Sequence, residues 1–277
     1  MTDIYTPDGT ALPEITVSML AARNTAARKT VMTIHSTAER LCIKTDDAGI
    51  PVDPVMRSVY LSLTETCWQL QHSIACTDEL LCYENGLQKP EEALDLCRTL
   101  RHFVNVTDEL TDDCLEIGRC EIPNGLYAQV HPERLTFVLL HMLVSALRDF
   151  PDANVMDFTA GCVNQHLRLE LVLRRDNEAE TPAFRMPEPA DEAQRQLPDA
   201  PEALTARFCR LYGARLLQQS AEEKSVCTLA LPAARVQNPL AKVSSDSAQM
   251  QDELLYRAVL SEFVPAEKML TGMAERM

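Results

Sequence analysis

Glycine is scarce in this chain, 8 residues in 277, and aromatic residues are only 5% with a single tryptophan. So little glycine excludes collagen-like and glycine-rich fibrous chains. Nowhere is there an apolar run of the roughly 20 residues that a membrane-spanning helix needs. Met1 to Glu14 lack a basic stretch followed by an apolar one, so no secretory leader is read there and a cytoplasmic protein is expected. Positive charge is also short, 26 Lys and Arg against 41 Asp and Glu, for a net charge of −15. That excess repels phosphate backbones and anionic lipid, so neither nucleic acid nor a membrane is expected as a partner. Ten cysteines are present, without a Cys-x-x-Cys pair or a histidine at zinc-finger spacing. In a chain this long they read as reduced thiols, and no metal is expected.

What is present is enough apolar material, 46%, for a sizeable core. After an N-terminal arm (residues 1–14), a stretch without Pro or Gly runs from Ile15 to Lys44. Its Met19, Leu20, Ala27, Val31, Ile34, Ala38 and Leu41 recur at helical spacing. A second helix is predicted from Pro54 to Tyr83, with Met56, Val59, Tyr60, Leu63, Cys67, Leu70 and Ile74 as its stripe. Pro54 suits a first turn and Asn85-Gly86 a helix end. Each helix is roughly 45 Å long at about 1.5 Å per residue. Two such helices joined by a short loop form an antiparallel hairpin with too little core of its own. A homodimer that closes a four-helix bundle is therefore expected.

From Pro90 the pattern changes. A helix is predicted over 91–108, then strands over 115–122 and 126–130 joined by Pro123-Asn124-Gly125 as a hairpin. An apolar helix follows from Pro132 to Phe150, then strands over 154–160 and 167–173. The second alternates Leu167, Leu169, Leu171 and Leu173 with His166, Arg168, Glu170 and Val172. A Pro- and acid-rich loop (176–201), a helix (203–212), two strands (215–219 and 226–231), a linker and a C-terminal helix complete the chain. The class is α+β, a sheet layer against helices.

This order of elements resembles a sensor histidine kinase core, a dimerisation and phosphotransfer hairpin joined to a GHKL-type ATP-binding sandwich. The sharpest match is His131-Pro132-Glu133-Arg134-Leu135 running into His141-Met142-Leu143-Val144-Ser145-Ala146. The family pattern there is Asp-Pro-x-Arg-Leu, then Asn-Leu-Leu-x-Asn-Ala. Arg210-Leu211-Tyr212-Gly213 and the closing Leu231-Pro232 agree with later family elements. The resemblance spans roughly Ile15 to Pro232 and implies a hairpin over 15–88 and a GHKL-like domain over 89–232; residues 233–277 beyond it read as a linker and C-terminal helix.

The resemblance also shows what is missing. In active members the first Asn orients catalysis and the second ligates Mg²⁺; here they are His141 and Ser145. The adenine-binding Asp of an Asp-x-Gly-x-Gly motif falls on Arg175 in phase with the leucines, or on Asp176 with a bulge. Glu178 stands where a motif glycine belongs. The glycine turn that would cradle phosphates is replaced around Pro201, which lacks an N–H. No cofactor is therefore expected, and these six positions mark a degenerate ATP site. His35 is the only histidine on the first helix and the candidate phosphoacceptor. Ser36 follows it where the family has an acid. His35 reads either as an ordinary helix histidine or as that acceptor; His72 reads as solvent-facing.

The resulting expectation is a dimeric histidine-kinase-like signalling protein without ATP chemistry, an adaptor or regulator of a response regulator receiver domain. One alternative is a histidine phosphotransferase relaying phosphate through His35, the layout of the sporulation phosphorelay phosphotransferases. Another is an active kinase with divergent motifs.

Overall fold

The computed structural model describes residues 4–5, 11–12, 14–47, 53–111, 114–176, 200–221, 223–234 and 247–269. The chain divides into two compact units, Met1–Leu87 and Gln88–Met277.

The first unit opens with a short antiparallel pair, β1 (Ile4–Tyr5) and β2 (Ala11–Leu12). Two long helices follow, α1 (Glu14–Asp47) and α2 (Pro54–Glu84). The Asp53 side chain accepts the Val55 N–H and caps α2, with Pro54 in the first turn. Three cross-links set the helices antiparallel, because partners descend α2 as they ascend α1. Asn24 and Arg28 both donate to the Asp78 carboxylate, at 2.9 and 2.7 Å. Gln71 donates to the Met32 sulfur, and the His35 ring lies 6.2 Å from that of Trp68. Val31, Cys67 and Ile74 form a small buried cluster with Ala27 packed against it.

The second unit is a two-layer sandwich. Its sheet runs β4 (Glu116–Glu121), β6 (Val155–Val163), β7 (His166–Arg174), β9 (Lys224–Pro232), β8 (Arg215–Ala221). β4 lies parallel to β6; the other pairs are antiparallel. The alternating leucines of β7 are all at 0–1% exposure. Each such burial contributes about 1.5–3 kcal/mol relative to exposure. They face α4 (Pro132–Asp149), with α3 (Cys97–Thr111) packed beside it over β4, and the inner faces of both helices are sealed. α5 (Ala200–Tyr212) ends at Gly213, whose φ of +68° suits a residue without Cβ. α6 (Ser247–Leu260) closes the described chain with a short helical turn after it.

The expected hairpin between 115–122 and 126–130 does not form. β5 (Tyr127–Ala128) pairs instead with β3 (Leu94–Asp95). Gly125 does turn the chain, at φ +81°. However, β4 finds its partner across the α4 crossover, as parallel strands must. The helix expected from residue 91 begins later, at Cys97, because the Asp95 side chain accepts the Cys97 N–H there.

Candidate functional site

α4 positions the two residues that replace the asparagine pair. Pro132 opens it, Glu133 lies in its first turn and Arg148 in its last, each suited to the helix dipole. His141 and Ser145 are four residues apart and share one face. His141 is buried at 5% exposure, its ring 4.5 Å from that of Phe137 one turn earlier. Ser145 is half-buried and donates from Oγ to Gln218 Oε1 at 3.1 Å. Gln218 Nε2 in turn donates to Asp149 Oδ2 at 2.7 Å, and Ser220 Oγ to the same oxygen at 2.9 Å. One turn of α4 is thus tied to β8 through a polar knot. Beneath it, burial and then the Asp149 charge push the Cys227 thiol up to about 12. No disulfide joins any of the nine described cysteines.

The end of β7 carries the Arg175 and Asp176 positions. β7 keeps unbroken register with both neighbours through Arg174. Arg175 then turns to the surface, 3.9 Å from Asp152. Asp176 is held by its backbone: its N–H donates to Asn154 Oδ1 at 2.6 Å, and its carbonyl accepts from Asn154 Nδ2 at 2.8 Å. Asn154 is itself buried at 6% exposure. Nearby, Asp157 Oδ2 accepts from Arg174 Nε at 3.0 Å and its Oδ1 from the Arg119 N–H at 2.7 Å. Gly118 permits that approach, since a Cβ there would stand 2.4 Å from Asp157 Oδ1. Asp157 holds the Arg174 guanidinium above its ordinary value.

Pro201 lies in the first turn of α5 with Glu202 beside it. Glu178 lies outside the described residues. At the start of α4, His131 Nδ1 is 2.6 Å from Tyr212 Oη. Burial, and next Arg134, hold the His131 imidazole below its ordinary value, with Glu133 opposing. In the hairpin unit His35 is half-buried beside Trp68. His72, expected in solvent, is also half-buried.

Asn154, Gln218 and Asp149 were not singled out from sequence. Gln218 is found only once the β8–β9 register is known, because that register decides which face of β8 looks at α4. Asn154 precedes β6 without any motif. Chemically, the Ser145 face presents a hydroxyl already donating its proton and a carboxylate with two partners.

No family model and no curated protein matches the sequence. Solved structures do. ShkA, full-length in complex with AMPPNP, is 15% identical with a TM-score of 0.50, over 80% of this chain and 47% of its own. The fold of this chain is like that of a histidine kinase core. The chain therefore spans about half the length of ShkA. The Acinetobacter baumannii histidine kinase AdeS is 17% identical with a TM-score of 0.45, over 75% of this chain and 97% of its own. The E. coli osmosensor EnvZ kinase domain is 13% identical with a TM-score of 0.36, over 58% of this chain and 99% of its own. In this fold the α+β sandwich follows the long helical hairpin as expected. Among the described residues no helix is long and apolar enough to cross a membrane.

Proposed function

We propose that this histidine-kinase-like core works without ATP, as a dimeric signalling adaptor or regulator that binds a response regulator receiver domain. The observation that carries the reading is the knot of Ser145, Gln218, Asp149 and Ser220. In this reading the α4 face that would serve Mg²⁺ and the triphosphate holds β8 in place. Pro201, lacking an N–H, stands in the first turn of the helix that would otherwise offer phosphate-binding donors. Residues 15–88 form the dimerising hairpin and 89–232 the sandwich. The hairpin supports this by leaving Met19, Ile34, Val55, Met56, Val59 and Leu70 exposed at 43–67%. Soluble monomers avoid apolar patches of this kind. Calorimetry with Mg-ATP tests the nucleotide claim: no heat of binding is expected at millimolar ligand, and a micromolar dissociation constant would overturn it.

A second reading is phosphotransfer through His35, which stands on the first helix of the hairpin as a relay layout needs; the residue is half-buried with its Nε2 covered, so transfer there requires attack through Nδ1 or a local opening of the helix pair. A phospho-Asp donor supplies a reactive acyl phosphate, so a neutral imidazole suffices as nucleophile and Ser36 at the acid position matters less. Acid-labile phosphate acquired from phosphorylated response regulators, lost in His35→Gln and kept in His72→Gln, would select this reading. No transfer from any regulator leaves the adaptor.

A further inference from the structure

Beyond β9 the second unit carries a segment, Glu253–Met269, seated on α3 and α4. Its Tyr256, Val259, Leu260, Phe263, Val264 and Met269 are at 0–2% exposure. The Tyr256 ring lies 6.3 Å from Phe103 and edge-on to His102 at 6.0 Å, both on α3. Phe103 is in turn 5.5 Å from Phe158 of the sheet. Glu262 accepts a bidentate pair from Arg148 at the end of α4, Nε to Oε1 at 3.1 Å and Nη2 to Oε2 at 2.9 Å. Lys268 Nζ reaches Cys114 Sγ at 3.7 Å.

The polar groups of this segment are arranged differently from those of the sheet. Two of its buried polar side chains, Arg257 and Ser261, are satisfied inside it. Arg257, at 5% exposure, donates to the Met269 carbonyl at 2.6 Å and to Glu253 at 2.8 Å. Ser261 donates to the Ala258 carbonyl at 2.9 Å. Helical backbone bonds are also internal. Removing a sheet strand would orphan a whole ladder, but removing this segment leaves neither Arg257 nor Ser261 without its partners. The bridge it would break, Arg148–Glu262, has side chains 40% and 27% exposed, so water can replace it.

We propose that α3 and α4 form a helix-binding groove, and that Glu253–Met269 is its exchangeable occupant, a latch that opens as a unit while the sheet stays folded. The groove accepts an amphipathic helix with a tyrosine over Phe103 and an acid for Arg148. Arg148 adjoins Asp149, so latch and polar knot grip the same turn of α4 from two sides. Opening loosens the end of the helix that holds β8.

The test uses the full chain with a protease site inserted within residues 235–246. After cleavage, a fluorescent synthetic copy of residues 247–269 is added in excess. The peptide is expected to displace the native segment with saturable anisotropy while the strand signal in circular dichroism is unchanged. A Glu262→Ala peptide should bind roughly fivefold more weakly. A Tyr256→Ala peptide should bind at least about a hundredfold more weakly. Failure of the peptide to enter, with the segment released only as the sheet unfolds, would overturn the proposal. Hydrogen exchange on the uncut chain gives an independent reading. Amides of 253–269 should share one opening that is faster than that of α4 and β7, and equal protection would refute the latch.

Discussion

In the sandwich, the leucines at 167, 169, 171 and 173 are sealed between β7 and the helices, while in the hairpin Leu63 and Leu70 stand 36% and 48% exposed. Both sets are spaced with equal regularity. The difference lies in what each unit supplies opposite them. The sandwich lays α4 on the sheet with α3 beside it and α6 packed on both helices, whereas the hairpin has two helices and a small cluster around Val31, Cys67 and Ile74. Periodicity says that a face is destined for burial; it does not say whether the covering element lies in the same chain.

Substitution by aspartate should separate the two regions most sharply. Leu171→Asp buries a charge without a partner and should abolish the sandwich's cooperative unfolding transition. Leu63→Asp with Leu70→Asp should leave the helical signal in circular dichroism largely intact. Light scattering should then fall from twice 31.0 kDa to a single chain mass. A wild-type protein that scatters as a monomer at low micromolar concentration would remove the dimer from the proposal. Milder truncation sharpens the contrast. Leu171→Ala should lower unfolding stability by about 3 kcal/mol. Leu63→Ala should act chiefly on the concentration dependence of assembly.

Within the sandwich the polar clamps come next. Asn154→Ala leaves the Asp176 N–H and carbonyl without their clamp and should cost about 1–3 kcal/mol in denaturant melts. Asn154→Asp should recover only the half that accepts a hydrogen bond. Gly118→Ala forces Asp157 aside and should cost about 1–3 kcal/mol, with protection of the Arg119 amide lost in hydrogen exchange.

The smallest effect is one of pH. Folding holds the His131 imidazole below its ordinary value, so on acidification the unfolded chain takes up a proton near pH 6.5 before the folded one does. The unfolded state then binds more protons, and stability falls as pH drops from about 6.5 to the lower folded value. His131→Asn, a residue suited to the start of α4, should flatten that slope in thermal melts collected between pH 5 and 7.5.

These contrasts also explain what was legible in the sequence. The β7 leucines, the Pro-Glu-Arg opening of α4 and the two long helices are local signals, and each element lies within a few residues of its predicted span. The reading failed where the partner was distant. Asn124-Gly125 does mark a turn, but β4 pairs with β6 beyond α4, and nothing local to residues 115–130 states that. At the site, His141 and Ser145 stood out because a pattern named those positions. Gln218 and Asn154 did not, because their importance depends on register and on a backbone atom 22 residues away. His72 was placed in solvent from its position off the stripe, yet its side chain is half-buried, because distance from a stripe does not by itself leave a side chain in water.

The β6–β7 hairpin has a consequence for the order in which the sandwich assembles. Its strands pair over nine residues around Asn164-Gln165, both at positive φ, so closure joins neighbours along the chain. β4 reaches the same sheet only across the intervening α4, at a greater loop-closure cost. The antiparallel centre is thus expected to be formed in the folding transition state, with the parallel edge arriving late. Mutations along β6 and β7 should slow folding, and those in β4 should chiefly speed unfolding, in stopped-flow measurements. The strand whose partner the local sequence does not name would then be among the last to find it.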